Sequence, residues 1–151
     1  MDERLIGLWS ESTLYPNDVE SAELAFRWNG SGWLYWSSWS TSFSVSRYTW
    51  SAFTPGTLVL KFHCELDGTW SIEDGVVRHD VESEEERGSL VKVGYEVVPG
   101  EDPLGNTLTV LSLDRPLHDH LAGSRFAWVE QSGPLSDPAA GAPRPGPPSH
   151  R

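Results

Sequence analysis

Cysteine occurs once in the 151 residues, at Cys64. No internal disulfide can staple this chain, so its core has to hold the fold. Basic side chains are scarce as well. Eleven Lys and Arg against 22 Asp and Glu leave a formal charge of -11, a field that repels phosphate backbones. No basic stripe overrides it locally, which excludes nucleic acid as a partner. The acidity suits solubility, with docking to a basic protein as the alternative use. No apolar run approaches the roughly 18 residues that a membrane-spanning helix needs, so no membrane partner is expected. The start, Met-Asp-Glu-Arg-Leu-Ile-Gly-Leu-Trp, lacks a basic n-region and an apolar h-region; the expectation is a cytoplasmic protein. Long helical periodicity is missing too, and with it any helical bundle.

Aromatic rings are what the chain has in quantity. Eight Trp, four Tyr and five Phe supply much of the apolar area of a chain whose length suits one domain. They fall on short β-prone runs from Leu5 to about Glu130, separated by turn residues. The run Leu5 to Ser12 comes first, and Val19 to Trp28 meets Asn29-Gly30, a strong hairpin signal. Gly32 to Ser40 and Phe43 to Phe53 follow, the latter broken by Pro55-Gly56. Thr57 to Leu66 is the clearest strand, with Leu58, Leu60, Phe62, Cys64 and Leu66 alternating against Val59, Lys61, His63 and Glu65. Asp67-Gly68 and Asp74-Gly75 read as turns, and Glu82 to Glu86 as a solvated hairpin tip. Leu90 to Val98, Thr107 to Leu113 and Ser124 to Glu130 are further strands, with one short helical turn between Asp114 and Gly123 before the last. The domain therefore covers 1–130. Residues 131–151, rich in Pro, Gly and Ala, read as a disordered tail whose Pro145 to Pro148 fits PxxP.

Eight to ten short strands joined by tight turns suit a single antiparallel up-and-down β-barrel, since closure removes exposed edges; a sandwich is the alternative. Gly7-Leu8-Trp9, in the first strand, resembles the Gly-x-Trp motif of lipocalins and related calycins. The resemblance covers three residues by motif and about 5 to 130 by architecture. It implies that Gly7 permits close backbone approach, that Trp9 plugs one end, and that a late arginine stacks over the indole. Arg125, inside the last strand, is the preferred match, and Arg115 is the other. The chain departs from many extracellular lipocalins in lacking their signal segment and disulfides.

If the faces carrying Phe26, Trp28, Trp36, Tyr48 and Trp50 turn inward together with Phe62, Cys64, Tyr95 and Trp128, the interior is an aromatic cavity wall. Such a wall suits one apolar small molecule and needs no cofactor. The plain alternative is that the rings fill the barrel as core. His118-Asp119-His120 lacks the third ligand of a metal site, so no metal is expected. His63 and Glu65 could form an acid-base pair, or simply share a solvated outer face. Cys64, among apolar neighbours, reads as inert, and neither a phosphate loop nor a nucleophile elbow is present.

Two functions compete. The first is a cyclase of natural-product (antibiotic) biosynthesis, as the resemblance to small bacterial barrel cyclases implies. It would template a cycloaddition or related ring closure, and restriction of the substrate alone contributes on the order of 7 kcal/mol or more. Its catalytic residues are unknown, with Tyr35, Tyr48 or Tyr95 as candidate donors. The second is a non-catalytic, lipocalin-like binder of a hydrophobic ligand. An acidic protein-interaction domain is a third reading, and homodimer formation is left open.

Overall fold

Backbone pairing organises the chain into nine antiparallel strands: β1 (Gly7–Ser10), β2 (Glu20–Phe26), β3 (Ser31–Ser38), β4 (Ser42–Ser51), β5 (Thr57–Glu73), β6 (Val76–Glu86), β7 (Leu90–Glu101), β8 (Thr107–Leu113) and β9 (Arg125–Glu130). The structure, a computed structural model, describes residues 2–117, 123–130 and 136–142. Neighbours run β4-β3-β2-β1-β9-β8-β7-β5-β6, and a further β4–β5 pairing closes the sheet into a barrel-like ring. The helical element among the described residues is a single turn, Glu3–Leu5, capped by the Asp2 side chain. Half of the expected turn before β9, 118–122, lies outside the described residues, and the other half, 114–117 and 123, forms no helix.

The long strand β5 explains how nine strands close. Its first part pairs with β7 from Thr57 to Lys61, and its second part pairs with β6 from Cys64 to Glu73. β6 and β7 therefore run in line along one edge of β5, interrupted at 87–89, while β4 occupies the other edge.

Local chemistry accounts for most ends. Asp74 (φ 53°) and Gly75 (φ 78°) both take the left-handed conformation that a tight two-residue hairpin requires. Asp67-Gly68, expected as another such turn, lies inside β5 instead. A Cβ on Gly68 would stand 1.9 Å from the Asp80 carbonyl oxygen, so this glycine serves close strand approach rather than reversal. Glu82 to Glu86, expected at a hairpin tip, belong to β6 and are exposed. A row of carboxylates along a strand that pairs on one side deters edge-to-edge association.

Both faces of the sheet carry apolar residues. Inside, Trp9, Leu24, Phe26, Tyr48, Leu60 and Phe126 belong to the main core. Outside, Ala25, Trp33, Phe43, Val45, Leu66 and Val81 form a second cluster, and Ala139 from the C-terminal segment is buried within it. Asp137 anchors that segment: its two oxygens accept from Arg47 Nε at 2.9 Å and Nη2 at 3.3 Å. A small residue covers the patch, so the segment needs no large side chain of its own to dock.

Candidate functional site

The interior changes character along the ring axis. Towards Leu5 and Ile6 the rings interlock: Phe26 meets Trp50 edge-on at 5.2 Å, Tyr48 meets Phe62 at 5.5 Å, and Phe26 lies 5.9 Å from Tyr48. Their polar atoms are already committed. Tyr48 donates to the Ala25 carbonyl at 2.7 Å, Trp50 Nε1 to the Ser31 carbonyl at 3.1 Å, and Trp9 Nε1 to the Leu5 carbonyl at 2.9 Å. Tyr95 donates to Asp2 Oδ2 at 2.7 Å. Burial pushes the Tyr48 phenol well above its ordinary value. Burial, then the bond to Asp2, pushes the Tyr95 phenol up to about 12. This end is core.

The other end is built differently. Along the inner face Trp36 stands opposite Ser44, and Ser44 opposite Asp67; one rung nearer the core, Leu34, Ser46 and Glu65 are in line. Here a cavity of about 310 Å³ opens, with Phe62, Val91 and Leu117 as apolar floor and Ser46, Glu65, Arg87 and Ser89 as polar wall. Glu65 is 8 % exposed. Its Oε1 accepts from Ser46 Oγ at 3.3 Å and its Oε2 from Arg87 Nη2 at 2.7 Å. The same guanidinium reaches Glu85 at 3.2 Å.

Trp36 Nε1 and Ser44 Oγ are buried with no hydrogen-bond partner among the described residues. An unsatisfied buried polar group costs about 1–3 kcal/mol, so two on facing strands define a place where a partner is wanted. Burial pushes the Asp67 carboxyl up from its ordinary value; the Ser44 hydroxyl beside it opposes this and the Glu65 charge reinforces it.

A bulge places these groups. Tyr48 pairs with Phe62 but Arg47 with Cys64, leaving His63 as an extra residue on β5. Side-chain alternation flips at that point. Leu58, Leu60 and Phe62 face inward before it, and Glu65 and Asp67 after it. Opposite the bulge, Arg87 N donates to the His63 carbonyl at 2.6 Å and Phe62 N to the Ser89 carbonyl at 2.9 Å. These bonds hold the β6–β7 break against β5, with Arg87 beside Glu65.

The nine expected wall residues consequently separate. Phe26, Tyr48, Trp50 and Tyr95 are buried in the core, and Phe62 alone of the nine borders the cavity. Trp36 sits on the inner face one rung above it. Trp28 has left the strand for the 27–30 loop and is 57 % exposed. Cys64 is turned by the bulge to the outer face, opposite Arg47. Trp128 pairs with Trp9 at the end of the sheet and is 40 % exposed. Val110 packs in an outer cluster with Leu14 and Ala127.

The pairing of Trp9 with a late arginine takes no such form here. Trp9 is fully buried on the inner face, whereas Arg125 alternates with the inward Phe126 and lies exposed near Gly100 and Val110. Arg115 is exposed and donates to the Lys92 carbonyl. His63 and Glu65 are separated too: exposed His63 contacts Thr49 Oγ1 at 3.1 Å, and Glu65 points inside. Tyr35 belongs to the outer face, 2.8 Å from His79 Nε2. His118-Asp119-His120 and the PxxP motif lie outside the described residues.

Ser44, Ser46, Asp67, Arg87 and Ser89 carried no signal as site residues. The one available was the alternation Ser42-Phe43-Ser44-Val45-Ser46, which puts both inner serines on the face of Tyr48 and Trp50. Among the described residues no helix is long and apolar enough to cross a membrane. No family model, curated protein or solved structure matches this chain.

Proposed function

We propose that this protein is a binding module for one small molecule with an apolar body, held in the cavity at the polar end of the ring. The observation that carries the reading is the cavity itself: about 310 Å³, with an apolar floor and a few convergent polar groups. Ligand sites have this make-up and start near roughly 300 Å³. The buried, unpartnered Trp36 and Ser44 atoms support it, since a ligand can satisfy them. Binding is preferred to ring-forming catalysis because Tyr48 and Tyr95, the inward phenols, are committed to Ala25 and Asp2 and neither lines this cavity.

The test is a titration with prodan, a neutral, apolar, environment-sensitive fluorophore. One saturable site is expected in the wild-type chain. Ser89 is exposed on the cavity rim, so Ser89→Trp can fill the space without disturbing the core. It should weaken prodan at least tenfold with an unchanged melting temperature. No saturable binding, or equal binding to both proteins, would overturn the reading.

A further inference from the structure

The outer face of the sheet carries an occupied surface that is independent of the cavity. Ala25, Trp33, Phe43, Val45, Leu66 and Val81, drawn from the five strands β2 to β6, form an apolar cluster there, and each is at most 5 % exposed. A sheet face of this kind has to be covered by another layer. The segment seated on it is 136–142, Ser-Asp-Pro-Ala-Ala-Gly-Ala.

Two side chains fasten that segment. Asp137 is held by Arg47 through two hydrogen bonds, and Ala139, two residues on, is 0 % exposed within the cluster. The remaining bonds are internal: Asp137 Oδ1 also accepts from Ala139 N at 2.9 Å, the Asp137 carbonyl from Ala140 N at 3.0 Å, and the Ala139 carbonyl from Ala142 N at 3.0 Å. The segment thus folds on itself and presents a carboxylate and a methyl group at a fixed spacing. Among the described residues no backbone hydrogen bond joins it to the sheet. A forked charge-assisted contact and a methyl that fits select what docks, while the backbone pairing that would bind the segment permanently to one sheet is missing. Elements held so lightly open at small cost.

The tether favours exchange. Arg47, Trp33, Ala25, Leu8 and Glu130 are successive partners along one rung, so the end of β9 and the arginine stand four strand spacings apart, about 19 Å along the sheet. Asp137 sits on the far side of Arg47, within electrostatic reach of His79 on β6. Seven residues reach at most about 25 Å, but their root-mean-square span is only about 15 Å. A span beyond that mean length lowers the effective concentration that favours a chain's own segment. A segment from another copy carries no such constraint.

We propose that this outer groove is a docking site for an aspartate-led turn, Asp-x-Ala, and that its partner is the 136–142 segment of a second copy of this chain, exchanged for the chain's own. Reciprocal exchange closes a two-fold pair, joined through the outer faces while the ring interiors stay as they are.

Two full-length variants test it. Ala139→Glu spoils the segment and keeps the groove; Arg47→Glu spoils the groove and keeps the segment. Each is checked for an unchanged near-ultraviolet circular dichroism spectrum, and Arg47→Gln replaces Arg47→Glu where the reversed charge lowers the melt. Neither variant can seat its own segment, so each alone is expected to be a single chain in native mass spectrometry, its segment clipped severalfold faster than in wild type. Mixed in equal amounts, they should form a one-to-one complex in which the segment of the Arg47→Glu chain alone regains protection. Adding Asp137→Asn to that chain should weaken the complex at least tenfold. A mixture without a two-chain species overturns the proposal, even where a free peptide of sequence 136–142 binds the Ala139→Glu chain, since the groove would then serve a segment of another protein. A two-chain species from Ala139→Glu alone also overturns it, because the bared patch would be pairing with itself.

Discussion

Replacing Gly32 with alanine distinguishes a packed aromatic core from an aromatic cavity wall. A Cβ there would lie 2.2 Å from the Ala25 carbonyl oxygen, 2.5 Å from Tyr48 Cε1 and 2.9 Å from Cζ. All three are shorter than ordinary contact, the first by more than an ångström, so the ring or the strand has to move. The Tyr48 ring is hemmed in, with Phe62 at 5.5 Å and Phe26 at 5.9 Å, and its hydroxyl is tied to Ala25 at 2.7 Å. Overpacking a filled core costs about 1–3 kcal/mol, and breaking the buried hydroxyl bond adds about 1 kcal/mol. The sum, about 2–4 kcal/mol, lowers the melting temperature of a chain this size by roughly 6–12 °C. Thermal unfolding followed by near-ultraviolet circular dichroism reads it directly. Gly88→Ala is the control, since its Cβ would meet nothing within 4 Å. If Gly32→Ala melts within two degrees of wild type, the ring had empty space to swing into. The division of the interior into packed and open halves would then be wrong.

Two other perturbations address the outer face. Burial lowers the His79 pKa below its ordinary value, with the Asp137 charge opposing. Stability from this group is present above the ordinary histidine value and is lost as pH falls below it, so His79→Gln should flatten the acid side of a urea-midpoint against pH profile; an unchanged slope would refute the assignment. Ala139 is fully buried against the sheet, so Ala139→Glu should release the C-terminal segment and speed its clipping by a protease severalfold, with little change in prodan affinity. A protease pattern identical to wild type would mean that the segment is not docked there in solution.

The strand content was legible because it is local. Thr107 to Leu113 forms a strand with the expected bounds, and Asp74-Gly75 turns as its composition requires. What the sequence concealed is non-local. The alternation from Leu58 to Leu66 identifies a strand, yet nothing in it marks His63 as the residue where the faces exchange. That single insertion sends Cys64 outward and turns Glu65 and Asp67 into the site. Asp67-Gly68 and Asp74-Gly75 are the same dipeptide with opposite outcomes, because glycine permits either reversal or close approach and the neighbouring strand decides which. Phe43 and Val45 lie on the face opposite Tyr48 and Trp50, and only the fold shows that Val81 and the distant Ala139 cover them there. Arg87 ends an acidic tract that looks solvated from the sequence; its link to Glu65 exists only once β6 lies along β5.

The central claim is that small molecules enter the end of the ring holding Trp36 and leave the other end untouched. Indole N–H signals in a proton–nitrogen correlation spectrum report each end separately, with Trp36→Phe assigning the signal of interest. On saturation with prodan, whose carbonyl can accept from it, the Trp36 signal should shift strongly, because its N–H is buried without a partner, whereas those of Trp9 and Trp50, bonded to Leu5 and Ser31, should stay in place. Movement of the Trp9 or Trp50 signals with Trp36 unmoved would contradict the account.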